Sequence, residues 1–350
     1  MTLDWRYVTI DWRLFFPPGT RVLALPSWQD PRLLVPAGRF ADRWRGSSFY
    51  PAFRPRARFY RAFLRCKAAT GLVEAQSVGT GDWPLGEFLR DTLHPASAAA
   101  IYVGSNGPAQ KMTVRLENDK GNVVGYLKYG ERAAARRRLS NEYQVLSGLR
   151  NGSAPEPIKH GTMGTGDALL LTSLSGKTLP ARLTPASGVE GFTRTLVAGS
   201  PMPPEEHPWM QRMQERSGTG LHRWLETLAA RDWSIVIQHG DLTSWNMLRK
   251  PDGTLGAVDW EYGSLEGFPY LDLAYHVLQT SALLYQWKPS RAVQYAVRYL
   301  TLEPWPALSR READVLTRLA AYDAYLKGIE DGKVPYGLQS WRRAIWEEKP

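Results

Sequence analysis

Asp241, Asn246 and Asp259 are the residues of this 350-residue chain whose types and spacing most directly imply chemistry. The first two stand five positions apart in Gln238-His239-Gly240-Asp241-Leu242-Thr243-Ser244-Trp245-Asn246, and Asp259 follows thirteen residues later in Val258-Asp259-Trp260-Glu261. An Asp and an Asn on one loop, with a second Asp beyond a short hairpin, can hold a hydroxyl acceptor and two magnesium ions around a nucleoside triphosphate. The chemistry that suits this spacing is phosphoryl transfer. Alone, Asp241 would pass for a turn residue after Gly240, Asn246 for a turn cap and Asp259 for a strand end. Their joint occurrence in this order makes a shared chemical role the stronger reading.

Such residues need a scaffold, and the pattern of apolar positions predicts one. Residues 1–95 carry short apolar runs, RVLALP and RLLVP, punctuated by Pro-Pro-Gly, Pro-Ser and Pro-Ala-Gly, so short strands and turns are expected there. From Phe49 to Lys67 aromatics alternate with Arg and Lys, and no acid occurs. That segment predicts aromatics packed inward and arginines facing out, the rival reading being a membrane-surface or anion-binding helix. His94-Pro95-Ala96-Ser97-Ala98-Ala99-Ala100 reads as a linker. After it, IYVGSNGPAQKMTVRLENDKGNVVGYLKYG alternates apolar and polar residues around Asp119-Lys120-Gly121, which predicts strand, turn, strand. Leu139, Tyr143, Leu146 and Leu149 then recur at helical spacing, with Asn151-Gly152 as the expected C-cap. A further strand, ALLLTSL, occupies 168–174, and beyond Gly176 helices are expected over 207–231, 270–287, 289–300 and 307–328. The implied division is an N-terminal extension (1–95), a strand-rich part (96–174) and a helical part (175–350).

Composition narrows the partners. Lys and Arg number 44 against 34 Asp and Glu, a formal charge of +10, so anions are favoured: nucleotides, phosphorylated substrates, nucleic acid or acidic headgroups. Basic residues are spread along the chain, and neither zinc-finger spacing nor an aromatic RNA-binding signature occurs, so nucleic acid is not the expected partner. Cys66 is the only cysteine, which excludes an intrachain disulfide and a Cys-built metal site and fits a reducing compartment. The N-terminus carries acids and no apolar run of signal-peptide length, so a cytoplasmic protein is expected. The longest apolar stretch, Leu271 to Trp287, is broken by Asp272, His276 and Gln279 and reads as a buried helix rather than a membrane span.

His239-Gly240-Asp241-Leu242 with Asn246, then Val258-Asp259-Trp260-Glu261, then Gly267-Phe268-Pro269-Tyr270-Leu271-Asp272-Leu273-Ala274, in that order, resembles the aminoglycoside phosphotransferase and choline kinase branch of the protein-kinase-like phosphotransferases. The likeness runs over roughly residues 100–345. It implies an α+β, bilobal protein-kinase-like fold, with a small β-rich N-lobe, a larger helical C-lobe and, here, an additional N-terminal region. It further implies that Asp241 orients the acceptor hydroxyl and takes its proton, and that Asn246 and Asp259 hold Mg2+. Lys128, in the apolar strand VVGYLKY, would contact the phosphates of ATP or GTP. A carboxylate on the next helix should hold that lysine; Glu142 is expected over Glu131, which stands at the helix entrance where an acid suits the dipole. The turn Gly104-Ser105-Asn106-Gly107 would cover the phosphates, and backbone groups near Thr172, Ser173 and Leu174 would meet the purine edge at an interlobe hinge. His239 and Asp272 are expected to be architectural, the former through loop hydrogen bonds, the latter through N-capping and loop anchoring. Arg136, Arg137 and Arg138 read as a solvated helix face, the rival being a cationic run where phosphates enter, and most of Trp224, Trp233, Trp245, Trp260, Tyr262, Phe268 and Tyr270 as core, the rival being a cation-binding box for an amino alcohol.

Two stretches depart from the family pattern. Thr243-Ser244-Trp245 stands where a Pro-containing stretch is usual, so Trp245 either shapes the acceptor pocket or packs beneath the loop, and residues 1–95 have no counterpart. The expected activity is that of a small-molecule kinase, moving the terminal phosphoryl group of ATP or GTP, with Mg2+, to a hydroxyl of a sugar, amino sugar or amino alcohol. Protein phosphorylation is disfavoured because the loop reads His-Gly-Asp and no Ala-Pro-Glu follows Asp259. The alternatives are phosphoester hydrolysis, or a catalytically weak kinase-like scaffold that binds a membrane or a protein through the basic aromatic N-terminal region.

Overall fold

The computed structural model describes the chain apart from residues 1–10, 72, 94, 150–151, 184–187, 218–220, 303–305 and 348–350, and apart from the side chains of Pro55, His222 and Arg223. It divides into two compact units, residues 1–143 with 155–173 and residues 144–154 with 174–350.

Among the described residues the first unit is built on one antiparallel sheet of eight strands: β1 (Arg21–Leu25), β2 (Leu33–Pro36), β3 (Ala75–Ser77), β4 (Ser97–Val103), β5 (Met112–Glu117), β6 (Val123–Gly130), β7 (Pro157–Met163) and β8 (Gly166–Thr172). Their order is β3-β1-β2-β4-β5-β6-β8-β7. Helices α1 (Phe40–Gly46), α2 (Pro55–Thr70) and α3 (Pro84–Leu89) join it, and α4 (Ala133–Gly148) begins in it. After their leading arginines the runs RVLALP and RLLVP are continuously apolar because both faces of the sheet are covered there. Val22, Ala24 and Leu34 face a core shared with Phe15, Phe16, Ile101 and Leu127, whereas Leu23, Leu25, Leu33 and Val35 face a second core shared with Leu64 and Ala68 of α2.

Two expectations are corrected in this unit. The alanine-rich segment at 97–100 is not a linker but the start of β4, with Ala98 and Ala100 buried. Small side chains suit this place, because α1 ends so close to β4 that a Cβ on Gly46 would lie 2.9 Å from the Ala99 carbonyl oxygen. Nor do the aromatics of α2 all pack inward. At about 100° per residue, Tyr60, Leu64 and Ala68 form one stripe toward the core, which leaves Phe59 and Phe63 on another side, 79% and 52% exposed.

The second unit is largely helical. Its short strands β9 (Lys177–Thr178), β10 (Val197–Met202), β11 (Trp233–Gln238), β12 (Met247–Arg249), β13 (Leu255–Ala257) and β14 (Ser264–Gly267) form two antiparallel sheets, β10-β11-β14 and β13-β12-β9. The helices are α5 (Val189–Arg194), α6 (Pro208–Ser217), α7 (His222–Leu228), α8 (Leu271–Leu283), α9 (Pro289–Leu302), α10 (Arg310–Glu330) and α11 (Leu338–Glu347). α8 is buried over most of its length, as its broken apolar run predicts. α10 opens on a capping box: Ser309 Oγ accepts the Glu312 N–H at 3.2 Å, and the Glu312 carboxylate accepts the Ser309 N–H at 2.7 Å. α4 ends at Gly148, and Asn151 of its expected C-cap lies outside the described residues. No described helix is long and apolar enough to cross a membrane.

Candidate active site

β11 delivers the chain to His239, and the backbone turns at Gly240 with φ 76°. A Cβ there would lie 2.1 Å from the Tyr262 carbonyl oxygen, so the turn accepts only glycine. Asp272, near the start of α8, accepts the N–H groups of His239 at 2.6 Å and Gly240 at 2.8 Å. It therefore anchors the loop. The expected N-capping role is corrected, because the N-cap of α8 is Tyr270 and Asp272, inside the helix, spends its oxygens on the loop. Burial pushes the Asp272 carboxyl up, opposed by His239 and the two amides. His239 is buried too, accepting the Asp241 N–H on Nδ1 at 3.2 Å and donating from Nε2 to the Val258 carbonyl at 3.0 Å. Both ring nitrogens are thus used to hold the loop.

This framework presents Asp241. Asn246 Nδ2 donates to the Asp241 carbonyl at 3.0 Å and to its Oδ2 at 3.2 Å. Tyr275, on α8, donates its hydroxyl to Asp241 Oδ1 at 2.6 Å. Arg342, on α11, in turn donates to the Tyr275 oxygen at 3.3 Å and to Gln279 Oε1 at 3.0 Å. Each carboxylate oxygen of Asp241 therefore has a donor that sets its rotation. Burial pushes the Asp241 carboxyl up; the Tyr275 hydrogen bond opposes this and the Asp259 charge adds to it.

Asp259 reaches this neighbourhood through the β12–β13 hairpin. The register pairs Met247 with Ala257 and Arg249 with Leu255, and the Val258 N–H bonds to the Asn246 carbonyl at 2.8 Å. Asn246 thus lies opposite Val258, and Asp259 comes next. Its backbone sits in the left-handed region at φ 72°, which Asp tolerates better than most side chains. Since Asn246 uses its amide hydrogens on Asp241, its Oδ1 is the atom left to face a cation. One amide oxygen and one carboxylate fit Mg2+, which keeps waters and phosphate oxygens in its other positions. Among the described residues no group of three or more His, Cys, Asp or Glu would hold a metal unaided.

In the first unit, Lys128 on β6 places Nζ 2.6 and 2.8 Å from the two carboxylate oxygens of Glu142 on α4, and Glu142 is fully buried. Glu131 is engaged elsewhere, accepting from Tyr129 at 3.0 Å and Thr165 at 2.9 Å. Ser105 and Asn106 are exposed in the β4–β5 connection, where Gln110 Nε2 bridges the Gly104 carbonyl at 3.2 Å and Asn106 Oδ1 at 3.0 Å, and Arg132 donates to the Gly107 carbonyl. Thr172 ends β8 with its N–H committed to the Glu156 carbonyl at 2.9 Å; Ser173 follows it, and Leu174 belongs to the second unit. Arg136 is tied down by Asp167 at 3.5 Å and by two backbone carbonyls, while Arg137 is exposed. Trp245 is half-buried, and Trp233 and Phe268 are core, their rings 5.2 Å apart.

The structure thus joins Lys128 to Glu142 in one unit, and Asp241 to Asn246, with Asp259 one residue from the hairpin's end, in the other. Tyr275 and Arg342 were not foreseen. Tyr275 stands one helical turn after Asp272, a signal that could have found it. Arg342 is 67 residues further along, and nothing local points to it.

A strand-rich N-terminal unit and a helical C-terminal unit are the α+β make-up of a kinase-like fold. The chain matches the model of the phosphotransferase enzyme family over residues 192–313, a segment that holds Asp241, Asn246, Asp259, Asp272 and Tyr275. That match supports a phosphotransferase. Similar solved structures include an aminoglycoside phosphotransferase of Streptomyces rimosus (22% identity, 67% of this chain and 97% of that one, TM-score 0.38). An ethanolamine kinase of Plasmodium vivax is another (12%, 82% and 87%, TM-score 0.44), and a choline kinase of Streptococcus pneumoniae a third (16%, 75% and 96%, TM-score 0.38). No curated protein matches the chain in sequence.

Proposed function

We propose that this chain is a small-molecule kinase that transfers the terminal phosphoryl group of ATP or GTP to a hydroxyl of a sugar, amino sugar or amino alcohol. The observation that carries this reading is the Asp241 carboxylate, held at Oδ1 by Tyr275 and at Oδ2 by Asn246, with a hairpin bringing Asp259 beside Asn246. Asp241 takes the acceptor proton as the hydroxyl oxygen bonds to the terminal phosphorus and the bond to the departing ADP or GDP oxygen breaks. The two donors hold the carboxylate in one rotation, which favours a single line of attack. Asn246 Oδ1 and the Asp259 carboxylate would hold Mg2+, whose charge when bound offsets that of the phosphates. Lys128, gripped by both Glu142 oxygens, would pair with donor phosphates, and the Ser105-Asn106 turn would cover them. Purine contacts would fall to backbone groups of Ser173 and Leu174, since the Thr172 amide is committed. A lone, exposed Cys66 fits a cytoplasmic setting.

A panel of hydroxylated metabolites assayed for acceptor-dependent ADP or GDP release tests the proposal. One or more acceptors should raise release well above background, and Asp241→Asn should abolish that rise while nucleotide binding persists. Phosphate release that is indifferent to every acceptor, or turnover retained in Asp241→Asn, would remove the reading.

A further inference from the structure

Helix α2 has two apolar sides, and the core accounts for only one of them. Leu64 and Ala68 enter the core, with Tyr60 packed against it. On another side Phe59, Ala62, Phe63 and Cys66 are all exposed, at spacings that line them up along the helix. α1, in contact with α2, adds Phe40 and Trp44, 58% and 39% exposed, with ring centroids 6.1 Å apart and planes within 11°. Arg65 of α2 joins the two helices, its guanidinium carbon 3.9 Å from the Trp44 ring centroid. Four large exposed aromatics on two adjoining helices are a patch rather than the scattered apolar residues of an ordinary surface.

Along α2 and the segment leading to it the charge is of one sign. Arg54, Arg56 and Arg58 are exposed, Arg61, Arg65 and Lys67 are half-buried, and no Asp or Glu occurs from Arg43 through Val73. Asp42, just before that stretch, is taken by Arg45 at 2.7 Å. On the helical wheel Arg58 and Arg65 lie to one side of the Phe59–Phe63 stripe and Arg56 and Lys67 to the other, at about 100° per residue. We infer that α1 and α2 form a docking face for an anionic lipid bilayer, with Phe59, Phe63, Phe40 and Trp44 entering the interface and the flanking arginines meeting lipid phosphates. Nucleic acid suits the face less well. The exposed phenyl rings of Phe59 and Phe63 follow one helical stripe, as on an interfacial helix, whereas single strands are held by rings along a groove.

The test is flotation of the full-length protein with phosphatidylcholine vesicles, with and without phosphatidylserine. Phosphatidylserine vesicles should carry the protein and pure phosphatidylcholine should not, with binding lost as salt is raised. R56E/R58E should weaken binding by more than about twentyfold, and F59A/F63A by about tenfold. Both pairs are exposed side chains outside the catalytic machinery, so unchanged melting temperature and unchanged phosphotransfer should accompany the loss. Failure to float with phosphatidylserine vesicles overturns the inference, as does flotation that survives both double substitutions. Tight binding to single-stranded RNA or to a polyglutamate peptide, with no flotation, would overturn it in favour of those partners.

Discussion

At Asp241 a phenol hydroxyl and a side-chain amide together set how the carboxylate is turned. Tyr275→Phe removes the 2.6 Å donor at Oδ1 while leaving the ring in place. A hydrogen bond to a charged acceptor is worth about 1.5–3 kcal/mol, so kcat should fall by about tenfold or more with nucleotide affinity unchanged. Steady-state kinetics alongside nucleotide titration checks both halves; an equal loss in affinity would place Tyr275 elsewhere in the cycle. Gly240→Ala should be harsher, because its Cβ would collide with the Tyr262 carbonyl in a left-handed turn, and the loop cannot keep its shape. Asp241, Asn246 and Asp259 were legible as a set because a hairpin turns a fixed sequence interval into a neighbour relation. Lys128 and Glu142 were legible as a contact because Lys128 is the one basic residue of an apolar strand and the resemblance asks for a carboxylate on the next helix, where Glu142 stands as the apolar helical run begins. Arg342 was not, since its approach to Tyr275 depends on how α11 packs within its unit, and local spacing carries no such information.

Among the elements, α8 carries a group whose titration should be visible. Burial pushes His276 down to about 4 from its ordinary 6.5, and the ring is completely enclosed. Its folded pKa lies below its unfolded one, so the unfolded chain gains the proton first. The stabilising contribution is complete above the unfolded value and is lost as pH falls toward the folded one, amounting to about 3 kcal/mol in full. Melting temperatures taken from neutral pH down to about 4 should show the decline, and His276→Leu should flatten part of it. If the two profiles have the same slope, His276 is not the group responsible. On α10, Ser309→Ala deletes half of the capping box and should cost about 1 kcal/mol by denaturant melts. Beyond Gly176, α8, α9 and α10 answer to expected helices, the expected helix over 207–231 is divided into α6 and α7, and α5 and α11 were not foreseen. The alanines before β4 were not legible, because an Ala run looks the same as linker or as a strand beneath a close-packed helix.

For the molecule as a whole, nucleotide binding should register as stability. With Mg2+ and saturating ATP or GTP the gain is about 2.7 kcal/mol at a hundredfold excess over Kd, which would raise the melting temperature by several degrees. Asp259→Ala should remove most of the Mg2+-dependent part. Equal shifts in the two proteins would take Asp259 out of metal binding.

Residues 1–95, set apart on sequence, supply β1, β2 and β3 to the same sheet as β4, with Leu33 opposite Tyr102 and Leu34 opposite Ile101. Remove them and β4 becomes a bare edge, seven residues long, apolar and without proline, of the kind that templates pairing between chains. A protein shortened to begin at residue 96 should therefore accumulate as aggregate rather than as a smaller working enzyme, however complete its loop from His239 to Asn246.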